Sequence, residues 1–137
     1  MALSVRTVEY FYIRVADEPG KAYELLAKLA AEEINLLAFS AVPYGSRHVE
    51  LTVFPDSSAR LVRVAEALGW SLTGPQHASL IQGDDQLGAL AEIQKKLLDA
   101  GVNIYASSGI TDGTGHYGYV IYFKEGDHVA ATKALAS

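Results

Sequence analysis

Ile13-Arg14-Val15-Ala16-Asp17-Glu18-Pro19-Gly20 and, 68 residues further on, Ile81-Gln82-Gly83-Asp84-Asp85-Gln86-Leu87-Gly88 are two versions of one segment. In each, a strand-like run ends, the chain turns on an Asp, and a Gly opens a helical pattern. The same shift aligns the halves without a gap: Glu24 falls on Glu92, Lys28 on Lys96, Leu29 on Leu97, Asn35 on Asn103, Gly45 on Gly113 and His48 on His116. A fixed internal period has to be settled before any fold is assigned.

The local patterns agree in both copies. Val8 to Val15 alternates and is rich in aromatic and β-branched residues, as a strand requires. Ala22, Leu25, Leu26, Leu29 and Ala30 share one helical face. Leu36–Val42 and Val49–Val53 flank a turn at Pro43–Ser46. Ser57 and Ser58 can cap a second helix, which Gly69 ends. Trp70–Thr73 is expected as a short fourth strand and Gly74-Pro75 as a boundary, giving domains 1–74 and 75–137. In the second copy Gln76–Gln82 is a strand, and Leu87, Leu90, Ile93 and Leu97 are expected to line a helix. Val102–Ile110 and Tyr117–Phe123 form a hairpin, and residues 126–136 a last helix. The expected fold is α+β: two tandem ferredoxin-like βαββαβ units, with antiparallel sheets and helices on one face. The second unit lacks its last strand, which leaves Gln76–Gln82 as an open edge. Leu3–Val8 alternates and is the candidate to cover it, or else extends the first strand or frays.

Asp17-Glu18-Pro19-Gly20 with Glu33-Ile34-Asn35-Leu36, and Asp85-Gln86-Leu87-Gly88 with Gly101-Val102-Asn103-Ile104, resemble the ACT family. That family carries a D-x-P-G-like loop, a leucine-rich helix and an I/V-N-I/L entry to the second strand. The resemblance runs from about residue 8 to the end of the chain. It implies a regulatory protein that binds a free amino acid between neighbouring domains, with no cofactor. The ligand residues it implies are Asp17, Glu18, Pro19, Gly20 and Asn35, and Asp85, Gln86, Leu87, Gly88 and Asn103. Leu87 stands where the family favours Pro, which makes the second loop less pre-set. The implied partners are an enzyme or transcription factor under regulation, and a second copy of the chain, since apolar faces such as Tyr10 and Tyr12 need cover.

Each of these residues has a plainer alternative. Asp17 and Asp85 suit helix caps as well as ligand contacts. Asn35 and Asn103 suit left-handed turn positions. The alternative for the whole chain is an oligomerisation module without a ligand.

Composition narrows the function. A net charge of −5, with 11 basic residues among 16 acidic ones, is wrong for neutralising phosphates. Without cysteine there is no thiol catalysis and no zinc–thiolate site. No run approaches the ~18 apolar residues of a membrane span, and no signal peptide is recognisable, so a cytoplasmic protein is expected. Two motifs are decoys. Gly113-Thr114-Gly115-His116-Tyr117-Gly118 matches G-x-G-x-x-G but lies between strands, where the dinucleotide motif would open a helix. Tyr117–Tyr122 fits the end of an RNA-recognition motif and supports a single-stranded RNA-binding alternative. Against it, the repeat maps Tyr117 and Tyr119 onto core-facing Val49 and Leu51. No nucleophile elbow, metal-ligand pair or Walker loop points to an enzyme.

Overall fold

A computed structural model describes residues 3–124 and 126–136. The elements are β1 (Ser4–Ala16), α1 (Lys21–Ala31), β2 (Leu36–Tyr44), β3 (His48–Pro55), α2 (Ser58–Leu68), β4 (Thr73–Asp84), α3 (Ala89–Asp99), β5 (Ile104–Thr111), β6 (His116–Phe123) and α4 (Asp127–Ala136). Trp70–Leu72 form no strand, and β4 runs straight through Gly74-Pro75. The chain divides into two compact units. One is Glu9–Gln76; the other joins the chain up to Val8 with the chain from His77 onward.

In the unit Glu9–Gln76 the strand order is β2-β3-β1-β4, with β4 represented by residues 73–76. β3 pairs antiparallel with both β1 and β2, placing Val15 opposite Val49 and Ala41 opposite Leu51. Phe11, Ile13, Leu25, Leu29, Leu51 and Leu61 form its core, on the face the helices cover. Tyr10 is only 3% exposed, so it is no open apolar face. Ser57 caps α2 by accepting from the Arg60 N–H at 3.2 Å, and left-handed Gly69 ends it. Ser57→Ala is expected to cost about 1 kcal/mol in urea denaturation. An unchanged midpoint would mean that water replaces the cap.

The other unit repeats this plan in the order β1-β4-β6-β5, with Ser4–Val8 of β1 beside β4. The N-terminal residues therefore stand where the second copy has no fourth strand of its own. Val5 packs on the core of Ile81, Ile93, Leu97, Tyr119, Ile121 and Leu135, and the Thr7 hydroxyl meets that of Thr132 at 2.9 Å. Tyr117 and Tyr119 belong to that same helix-covered core, which removes them from any base-stacking surface.

The repeat extends to individual main-chain hydrogen bonds. Ile34 N–H donates to Leu29 O, and Glu33 N–H to Ala30 O; 68 residues on, Val102 donates to Leu97 and Gly101 to Leu98. Both helices thus end in the same paired closure, which needs a left-handed residue after the last turn. The second copy places Gly101 there, at φ 71°, and the first places Glu33, at φ 59°. Asn35 and Asn103 lie two residues beyond and are not left-handed, so the turn role expected of them falls elsewhere.

Candidate functional site

The loop after the first strand of each copy is built by the same bonds. Asp17 N–H donates to Arg47 O at 2.8 Å, and Asp85 N–H to Gly115 O at 2.8 Å. Each loop is thereby tied to the hairpin turn beside it. Glu24 N–H then reaches Gly20 O, and Glu92 N–H reaches Gly88 O. The N-caps of α1 and α3 are Gly20 and Gly88, both left-handed, and neither helix has a side-chain cap. Asp17 and Asp85 are therefore not caps. In α3 the first-turn N–H groups of Leu90 and Ala91 are left for an outside acceptor. Such groups, with the helix dipole behind them, favour an anionic or carbonyl oxygen.

In the second copy this loop borders a half-open cavity of about 340 Å³. Asp85, Gln86 and Gly88 line it, three of the four loop residues the motif singles out. Ala89, Leu90 and Ala91 of α3 form one wall, and Gly109, Ile110 and Thr111 of β5 form the other. Tyr117, buried at 7% exposure, closes the base. Burial, reinforced by Glu92 and Asp84, pushes its phenol pKa up, so the hydroxyl stays protonated as a hydrogen-bond donor. Leu87 takes no part: it is fully exposed and precedes α3.

Repeat comparison shows how the sequence makes this shape. The cross-strand pair Val15–Val49 of the first copy becomes Gly83–Tyr117 in the second. The Tyr117 ring occupies the space over Gly83, where a Cβ would come within 3.0–3.2 Å of it. Likewise Ala41–Leu51 becomes Gly109–Tyr119. A Cβ on Gly109 would sit 3.2 Å from both the Leu90 Cδ1 and the Tyr119 ring. The Tyr119 hydroxyl donates to Ser107 Oγ at 3.2 Å and accepts from Gln94 Nε2 at 2.6 Å, which joins α3 to β5.

The asparagines are not part of this cavity. Within the first unit Leu36 pairs with Pro55 at one end of β3, and Ala16 pairs with His48 at the other. Eight residues of strand separate them, about 23 Å. Asn35 thus lies at the far end of α1 from Asp17–Gly20, with its N–H on Asp56 Oδ1 at 3.2 Å and its carbonyl accepting from the Asp56 N–H at 2.8 Å. Asn103 holds the equivalent place and does not line the 340 Å³ cavity. The first unit has a separate groove of about 550 Å³, lined by Lys21, Glu24, Leu25, Leu68 and Trp70 among others, and none of the motif residues.

Two further features carry titratable groups. In the β5–β6 turn, Asp112 Oδ1 accepts from the Thr114 N–H at 2.7 Å and the His116 N–H at 3.2 Å. Hydrogen bonds from Thr114, then from His116, hold its pKa down at about 2. A depressed carboxylate contributes stability above its unfolded pKa and loses it as pH falls through the folded value. The turn is expected to loosen between about pH 4 and pH 2, with the Asp112 carboxyl titrating near 2 by NMR. A midpoint near 4 would mean that the turn bonds do not hold in solution. Elsewhere, His77 and His128 stack with ring centroids 4.5 Å apart, tying α4 to β4. Among the described residues no group of three or more His, Cys, Asp or Glu could hold a metal. No helix there is long and apolar enough to cross a membrane.

No protein-family model matches the chain, and no curated protein matches it. Solved structures do. Protein BT0572 from Bacteroides thetaiotaomicron superposes with a TM-score of 0.81 at 18% identity, over 96% of this chain and 88% of its own. The ligand-free regulatory subunit of aspartate kinase from Thermus thermophilus gives 0.69 at 16% identity, over 98% and 94%. The corresponding subunit from Thermus flavus gives 0.55 at 20%, over 98% and 94%. The chain therefore has the tandem ferredoxin-like fold of aspartate kinase regulatory subunits, the fold that its ACT-type motifs imply.

Proposed function

We propose that this protein is a regulatory module, not an enzyme, that binds a free amino acid at the loop Asp85–Gly88. The observation that carries this is the 340 Å³ cavity between that loop, the uncapped start of α3 and β5. The ligand's carboxylate takes the N–H groups of Leu90 and Ala91, and its ammonium takes the Asp85 carboxylate. Asp17–Gly20 repeats the main-chain arrangement and is the second candidate loop. Binding is passed on to an enzyme or transcription factor, as the fold shared with kinase regulatory subunits suggests. The test is calorimetric titration with each of the twenty amino acids, comparing wild type with Asp85→Asn. Losing a charged partner of the ammonium is expected to weaken binding by about 1.5–3 kcal/mol. Equal affinity in both proteins would take Asp85 out of the site.

Self-association belongs to the same proposal. β2 and β5 are the outer strands of their units, and they expose Phe39, Val42, Tyr44, Tyr105 and Ile110. Exposed apolar edges invite strand pairing, and a homodimer is the simplest closed form. These edges also favour the second function, an oligomerisation module without a ligand. Its signature is a dimer by light scattering whose melting temperature no amino acid moves.

A further inference from the structure

We infer that the loop cavity selects a neutral amino acid with an apolar side chain and discriminates against acidic and basic ones. This rests on the amino-acid-binding reading and adds the ligand class. Asp85 is the only charged side chain among the described residues that line the cavity. An acidic side chain would find no cation among those lining residues, and would meet the field of Asp85. A basic side chain would need a carboxylate of its own once Asp85 is committed to the ammonium, and the lining offers none. Burying an unpaired charge is far costlier than burying an apolar group.

What the lining offers instead is apolar surface. Leu90 lies over Gly109, the methyls of Ala89 and Ala91 flank it, and the Tyr117 ring forms the base. The first copy has Ala22 and Ala41 where the second has Leu90 and Gly109. The second copy has thus moved side-chain bulk from the strand to the helix. That places a leucine side chain against the cavity and keeps the strand backbone approachable.

The experiment is calorimetric titration of the full chain with leucine, valine and phenylalanine against lysine and aspartate, repeated on Leu90→Glu. Leu90 is partly exposed in the first turn of α3, where a glutamate is favourable to the helix. The variant's melting temperature is checked first. The expected result is apolar ligands binding at least tenfold more tightly than either charged one, with Leu90→Glu losing leucine at least tenfold and gaining lysine. Lysine or aspartate binding more tightly than leucine in the wild type would overturn the ligand class and leave amino-acid binding standing. No binding by any of the five at millimolar concentration, with none by the other fifteen, would remove the site itself.

Discussion

Gly83→Val is expected to destabilise the protein by about 3 kcal/mol, and adding Tyr117→Val is expected to restore much of that. Overpacking a well-filled site costs about 1–3 kcal/mol, occasionally more. Here the obstacle is severe, since a bare Cβ on Gly83 already falls 3.0 Å from the Tyr117 ring, and valine adds two methyls. Gly83 is not at positive φ, so backbone strain does not explain the loss. The double variant recreates the Val15–Val49 pair found at the same register in the first copy. A double-mutant cycle by urea denaturation should therefore show a coupling of about 1.5 kcal/mol or more. Additive losses would mean that Tyr117 does not lie over Gly83 in solution.

Leu97→Ala is expected to cost about 3 kcal/mol. Leu97 is completely buried in the second core, and deleting its side chain leaves a cavity that neighbours only partly refill. The loss should appear as faster amide exchange along α3, the helix whose first turn faces the candidate site. Leu98→Ala, one residue on but three-quarters exposed, should change stability by less than about 0.5 kcal/mol. Comparable losses at the two positions would put the wrong face of α3 inward.

The sequence made most of the fold legible because the repeat supplied two readings of each element. A strand-to-helix loop with Asp and Gly at fixed offsets, and a cap at Ser57, are local signals. The structure places each where its chemistry requires. Cap position is less legible: the N-caps are the left-handed Gly20 and Gly88, not Asp17 and Asp85, although Asp is a favoured cap residue. Leu87 fitted the helical period yet lies outside α3, because the left-handed Gly88 starts the helix one residue later. β4 continues through Gly74-Pro75, and the two compact units divide at Gln76 and His77 within that same strand, so the break in pattern is no break in the strand.

The candidate site was half legible. Asp85, Gln86 and Gly88 came from the motif; Leu90, Gly109 and Tyr117 did not. Their signal was present as departures from the repeat, leucine and glycine against alanine and tyrosine against valine, but cross-strand register was needed to bring them together. Asn35 and Asn103 illustrate the opposite case. They match the motif at constant spacing, yet α1 and α3 carry the chain away from the loops before either is reached. The His77–His128 stack had no sequence signature, since 51 residues separate two rings that only the packing of α4 on β4 brings together.

Binding of a free amino acid at the start of α3 has a direct spectroscopic signature. Amide NMR on the labelled full chain, titrated with a mixture of the twenty amino acids, tests it residue by residue. The predicted result is a saturable shift of Gly88, Leu90 and Ala91, with smaller changes at Gly109 and Thr111 and none at Ser58–Leu68 of α2. Saturable shifts confined to other residues, or none at millimolar ligand, would contradict it.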